Sequence, residues 1–187
     1  MGDGGDAVPG FGLTDLEVGP ELLVVPIDPT VGEVGYDSVE VDYAADSDLL
    51  LIGDTRSSRV LAFRGIPDNN NANADFVIGQ PDFTTTAGET SREKIRRAQG
   101  VSGQFGKLMI ADPDSHRVTI YESPFETWPA PAANVLGQEN FEDFNNACAP
   151  HRFNHVHNQF VTPSGKLMVA DSANNRVLMW NSIPETT

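Results

Sequence analysis

GKLMVADSANNRVLMWNSIP, residues 165–184, restates GKLMIADPDSHRVTIYESPF, residues 106–125, at an offset of 59 positions. A looser third copy, GDTRSSRVLAF at 53–63, lies over ADPDSHRVTIY at 111–121 and ADSANNRVLMW at 170–180. The shared frame is an aspartate, four variable residues and then Arg-Val: Asp54/Arg59/Val60, Asp112/Arg117/Val118 and Asp171/Arg176/Val177. A second element follows the first two copies, where DFVIGQPDF (75–83) and ANVLGQENF (133–141) share Gly-Gln, two residues and Phe, 58 positions apart. Self-similarity at such a period signals stacked supersecondary units, each of which buries its apolar faces against its neighbours.

Within a copy the signals are those of strands. LMIAD and LMVAD are short apolar runs ended by turn formers, and RVTIYE and RVLMWN resume with β-branched and aromatic residues. The polar tetrapeptides TRSS, PDSH and SANN between them suit hairpins. VEVDYAAD (39–46) and QFVTPSG (159–165) read as a further strand and turn, and the Gly-Gln element supplies a fourth strand. Four short strands joined by hairpins and repeated describe the blade of a β-propeller. Only SREKIRRAQ (91–99) has any helical character. The frame Asp is expected to accept backbone N–H groups of the following turn, with the Arg returning across the hairpin to pair with it. Because the pair recurs in every copy, Asp54, Arg59, Asp112, Arg117, Asp171 and Arg176 read as structural, since a catalytic centre needs its residues at one place.

The chain has 187 residues, 39% of them hydrophobic, with seventeen Gly and thirteen Pro. That is enough for one core of ordinary size, with many turns. No run approaches a membrane span, and residues 1–12 carry neither the basic start nor the apolar centre of a secretory signal, so a soluble chain is expected. The compartment stays open, an extracytoplasmic one fitting a piece of a longer bacterial protein. A single cysteine, Cys148, excludes an internal disulfide, and a small buried residue is its default reading. The net charge of −15 is concentrated at the start: the first 50 residues hold 12 Asp or Glu and no Lys or Arg. Such a field disfavours nucleic acid, whose affinity rests on cationic contacts to phosphates. Residues 1–35 read as an acidic Gly/Pro-rich segment, with a candidate strand at ELLVVPID (21–28). Residues 36–187 hold the repeats, about 36–90, 91–147 and 148–187.

The run Gly-Lys-Leu-x-Val-Ala-Asp-Ser-x-Asn-Asn-Arg-Val of 165–177 resembles the NHL repeat, and VIGQPDF, VLGQENF and WNSIP are similar to a long bacterial variant of it. Copy one departs from the pattern with Gly53 in place of Ala111 and Ala170, and Asp48 in place of Gly106 and Gly165. The resemblance implies an all-β propeller of NHL type, built of four-stranded antiparallel blades and usually six-bladed. Each blade's first strand would line a central channel. Three copies make about half such a ring, to be completed by further blades, self-association or a partner.

Shared residues build the blade, so function is sought where copies differ. HRFNHVHNQ (151–159) holds three of the four histidines, and in a strand His155 and His157 would share a face about 7 Å apart. Neutral imidazoles suit zinc and similar metals. The NHL-like peptidyl-hydroxyglycine amidating lyases carry zinc-binding histidines near the channel mouth, and His157, eight residues before Gly165, occupies a similar place. That site collects one His per blade, whereas the aligned copies here offer Ala98 and no His in copy one. Asp112-Pro-Asp114 holds two of the many oxygens a calcium loop needs. REKIRR (92–97) reads as a solvated connection, and Trp128 in WPAPAA as a cap on its own blade. No Gly-rich phosphate loop, GxSxG or HExxH occurs. The expected function is a non-catalytic platform for a protein or small-molecule ligand, without a cofactor. A metal-dependent lyase or hydrolase, its zinc site completed by other blades, is the alternative.

Overall fold

The computed structural model describes residues 39–69, 71–123, 125 and 130–185. Their eleven strands form three antiparallel sheets. The first runs β1 (Val39–Ala44), β2 (Leu49–Asp54), β3 (Arg59–Arg64), β4 (Phe76–Ile78); the second β5 (Val101–Gln104), β6 (Lys107–Asp112), β7 (Arg117–Glu122), β8 (Asn134–Leu136). The third has β9 (Val156–Val161), β10 (Leu167–Asp171) and β11 (Arg176–Trp180). Every sheet is a meander in chain order, and the protein is all-β. The candidate strand at 21–28 and Trp128 lie outside the described residues. Residues 91–99 form no helix.

Strand alternation explains how the sheets stack. Leu49, Leu51, Val60 and Ala62 point from the first sheet to the second, where they meet Leu108, Ile110, Val101 and Tyr121 in one core. The other face of the second sheet sends Met109, Ala111, Val118 and Ile120 to Val156, Val161, Leu167 and Val169 of the third. Burial pushes the Tyr121 hydroxyl up to about 12, so it stays neutral across the physiological range. On the far face of the third sheet Phe160, Val177 and Met179 stand 57%, 59% and 73% exposed. The first strands adjoin one another, β1 against β5 and β5 against β9.

The polar tetrapeptides each form one 3₁₀ turn, at Thr55–Ser57, Pro113–Ser115 and Ser172–Asn174. Each closes on a left-handed residue, Ser58, His116 or Asn175, with φ of 53°, 51° and 51°. Each frame Arg donates from Nε to its Asp: Arg59 to Asp54 at 2.8 Å, Arg117 to Asp112 at 3.2 Å and Arg176 to Asp171 at 2.7 Å. No frame Asp caps the turn that follows it with its side chain, which is where the sequence placed those bonds. Asp112 instead accepts from the Arg96 and Arg97 amides at 3.2 and 3.0 Å, and Asp171 from the Asn154 amide at 2.7 Å. The carboxylate reaches back because the connection entering its own sheet brings unpaired N–H groups beside it. Arg117, fully buried, also donates to the Phe141, Ser91 and Lys94 carbonyls. Burial pushes the Asp112 carboxyl above the usual carboxylate range, against the pull of Arg117 and the donors around it.

The Gly-Gln elements repeat in the same detail. Gln80 donates to the carbonyls of Ser57 and Ser58 at 3.4 and 3.1 Å, and Gln138 to those of Ser115 and His116 at 3.3 and 3.1 Å. Two residues further, Asp82 accepts from the Thr84 and Thr85 amides, and Asn140 from the Glu142 and Asp143 amides. The Thr84 hydroxyl, and then the Thr85 and Thr84 amides, hold the Asp82 carboxyl down to about 2.

Candidate functional site

The adjoining first strands carry a groove of about 340 Å³ that runs from Asp42 and Tyr43 over Ser102–Gln104 to Phe160 and Val161. Its floor is stitched from strand to strand. Asp42 accepts the Gly103 amide at 2.7 Å, and Asp46 accepts the Gly106 amide at 2.8 Å. Gln159 donates to Ser102 Oγ at 3.2 Å and to the Met109 carbonyl at 3.0 Å. Gly103 is required here, because a Cβ would stand 2.3 Å from the Ala44 Cβ where β1 crosses β5. The walls are aromatic and acidic. Phe160 is exposed, and Tyr43 Oη donates to Asp48 at 2.6 Å, a bond that raises the phenol's pKa together with burial and the Asp48 charge. A groove of this kind suits a polar or cationic group laid on an aromatic surface and repels a polyanion.

The histidines lie further along β9. His157 is on the strand, with Nδ1 3.2 Å from Gln99 Nε2. His155 stands before the strand with φ 57°, so the two rings do not share a strand face as two strand residues would. The backbone turn brings their centroids to 5.5 Å instead. His116, from the second sheet's turn, accepts the His155 amide on Nδ1 at 2.9 Å. Burial and then the His155 charge hold His116 below the usual imidazole value. Among the described residues no group of three or more His, Cys, Asp or Glu is placed to hold a metal ion. Asp112 is engaged with Arg117, and Asp114 lies 3.7 Å from Arg97.

The basic run 92–97 is tied down residue by residue. Arg92 donates to the Ala132 carbonyl at 2.8 Å and covers the Phe141 ring at 5.2 Å, and Arg96 covers Phe144 at 4.8 Å. Lys94 pairs with Glu89, and Ile95 is fully buried. Cys148 is exposed, contrary to its default reading, because residues 142–148 run over the surface toward the Ala149–Arg152 bridge instead of entering a core.

A second cavity, of about 690 Å³, opens beside β11 and is lined by Leu136, Gly137, Phe153, Trp180 and Pro184, with His151 and Arg152 at its polar side. Sequence reasoning did not find it. Among the described residues no strand beside β11 covers this space. No family model matches the chain, and no curated protein matches it.

Proposed function

We propose that the three sheets are blades of an NHL-type β-propeller whose channel-side groove binds a protein segment or small ligand without catalysis. The observation that carries this reading is the side-by-side order of β1, β5 and β9. It sets the groove along what would be the channel wall, with Tyr43 and Phe160 exposed over acidic neighbours. The same Asp–Arg pair and 3₁₀ turn in every sheet support a repeat whose shared residues serve architecture. Propellers carry many unrelated activities, so the reading rests on the groove and not on the fold.

The test is a thermal-shift screen of peptides and small cations against the intact chain and a Phe160→Ser variant. Phe160 is exposed, so the substitution leaves both cores intact. Ligands that stabilise the parent and not the variant support the platform. Zinc-dependent turnover of a peptidyl-hydroxyglycine substrate would overturn it in favour of the lyase.

A further inference from the structure

The second and third sheets are joined differently from the first and second. On the connection entering the second sheet, the amides of Arg96 and Arg97 both end on the Asp112 carboxylate, at 3.2 and 3.0 Å. The corresponding residues of the third sheet, 58 positions on, are Asn154 and His155. The Asn154 amide keeps its frame carboxylate, 2.7 Å from Asp171, and Asn174 Nδ2 donates to the same group at 2.8 Å. The His155 amide goes elsewhere. With φ at 57°, it donates to His116 Nδ1 at 2.9 Å. A carboxylate acceptor within one sheet is replaced by an imidazole acceptor from the sheet before.

The replacement changes what the joint responds to. A carboxyl oxygen can accept an amide in either protonation state, whereas imidazole Nδ1 accepts only while the ring is neutral. Once the ring is charged, a donor faces a donor. The matching turn residue one sheet earlier, Ser58, gives its hydroxyl to the Arg96 carbonyl at 2.7 Å, and neither group titrates near neutrality. The charges around His116 divide. Burial and the His155 charge oppose protonation of the ring, and Asp114, Asp112 and Asp171 favour it. Each of those carboxylates has an arginine beside it: Arg97 at 3.7 Å, Arg117 at 3.2 Å and Arg176 at 2.7 Å. The His157 ring lies 5.5 Å from that of His155.

This contact sits where β9 begins. The His155 carbonyl accepts from Ser172 Oγ, and the Asn154 carbonyl accepts from the Ala173 amide at 3.1 Å. Residues 154–155 are thus clipped to the turn of their own sheet, and His116 ties them to the second. Val156 follows at once, and the strand runs on to Gln159, which bonds Ser102 and the Met109 carbonyl across the joint. Phe160 and Val161, next in line, border the groove.

We propose that His116 and the His155 amide form an acid-released latch between the second and third sheets, and that its release shifts β9 against β5 and so resets the groove they share. Protonation of a histidine at an interface between packed elements is an established kind of switch. The regulatory role rests on reading the groove as the binding site; the latch itself does not.

The test is NMR of the intact, nitrogen-15-labelled chain between pH 7.5 and 5, which needs no ligand. The His155 amide resonance is expected to move with the midpoint of the His116 ring, and the amides of Gln159, Phe160 and Val161 to follow the same midpoint. After correction for the intrinsic pH dependence of exchange, protection of the His155 amide should fall about threefold, as loss of one hydrogen bond implies. Protection of the Arg97 amide should hold. In His116→Asn the shared midpoint should vanish from all four amides, and the comparison with Arg97 stands if that variant folds poorly. A His155 amide that ignores the His116 ring, or one that loses protection in parallel with Arg97, overturns the latch. A titrating His155 with unmoved amides at 159–161 overturns the regulation. A titrating latch in a chain whose groove takes no ligand would overturn the platform reading alone.

Discussion

Gly137 faces Phe153 so closely that a Cβ on the glycine would stand 2.3 Å from the phenylalanine Cδ2. Gly79 and Ile95 repeat the relationship one sheet earlier, with a Cβ 2.6 Å from Cδ1. Both glycines adopt positive φ, 92° and 84°. The glycine at the end of a fourth strand therefore forms the seat for the apolar residue that leads into the next sheet, and so locks neighbouring sheets together.

Gly137→Ala is accordingly expected to destabilise the fold by roughly 3 kcal/mol, from a left-handed backbone and an overpacked seat together. Phe153→Ala in the same chain should recover part of that loss, because it removes the ring that the new methyl strikes. Denaturant melts of the two single variants and the double variant measure the coupling, and strict additivity would show that the two residues do not meet.

The frame arginines are expected to rank by burial. Arg117 and Asp112 have fully buried side chains, so Arg117→Ala strands a buried carboxylate and should cost about 3–5 kcal/mol. Arg59 and Asp54, with side chains 4% and 6% exposed, should follow closely. Arg176, at 26% exposed, should cost less, about 1–2 kcal/mol, because buried Asp171 keeps the Asn154 amide and Asn174 Nδ2 as donors and losing the half-exposed arginine opens the carboxylate to water. Urea midpoints of the three variants test the order. A larger loss at Arg176 than at Arg117 would refute a packing role for the frame.

Much of this was legible because the chain repeats itself. Three aligned copies of Asp-x-x-x-x-Arg-Val located β2, β3, β6, β7, β10 and β11, since an apolar run, a polar turn and a second apolar run recur at fixed spacing. The backbone partners of Asp112 were not legible. They come from Arg96 and Arg97, whose amides face the carboxylate only once the connection before β5 has folded back along the sheet. The relation of His155 to His157 was misjudged for a similar reason. A residue at φ 57° breaks strand alternation, and nothing in the letters His-Val-His announces it. The groove was invisible because its residues, Asp42, Ser102 and Phe160 among them, come from three copies at positions where the copies share no residue type.

Zinc is expected to leave the protein's thermal midpoint unchanged, and equally so in His157→Ala. The imidazole of His157 meets Gln99, and the nearest companion ring, His155, supplies at most one more nitrogen. Two imidazoles fall short of the three or four ligands of a zinc site. Metal analysis after dialysis gives the direct reading. One bound zinc per chain that disappears in His157→Ala would move the function to the lyase class.

Acid should weaken the fold through His116. Its Nδ1 accepts the His155 amide, which only the neutral ring can do, and burial and then the His155 charge lower its pKa from 6.5. The unfolded chain therefore binds a proton at a higher pH than the folded one. Stability from this ring is complete above pH 6.5 and is lost as the pH falls through the lowered folded value. The charges of Asp114, Asp112 and Asp171 act in the opposite sense and limit the shift. Because the ring is only partly buried, solvent screening keeps the effect below about 1 kcal/mol. His116→Asn separates this contribution from general acid unfolding, since Asn175 shows that asparagine takes the same φ of 51° at the matching turn. The variant should melt like the parent at pH 7.5 and show a flatter decline between pH 6.5 and 5. Parallel declines in the two proteins would place the acid sensitivity elsewhere.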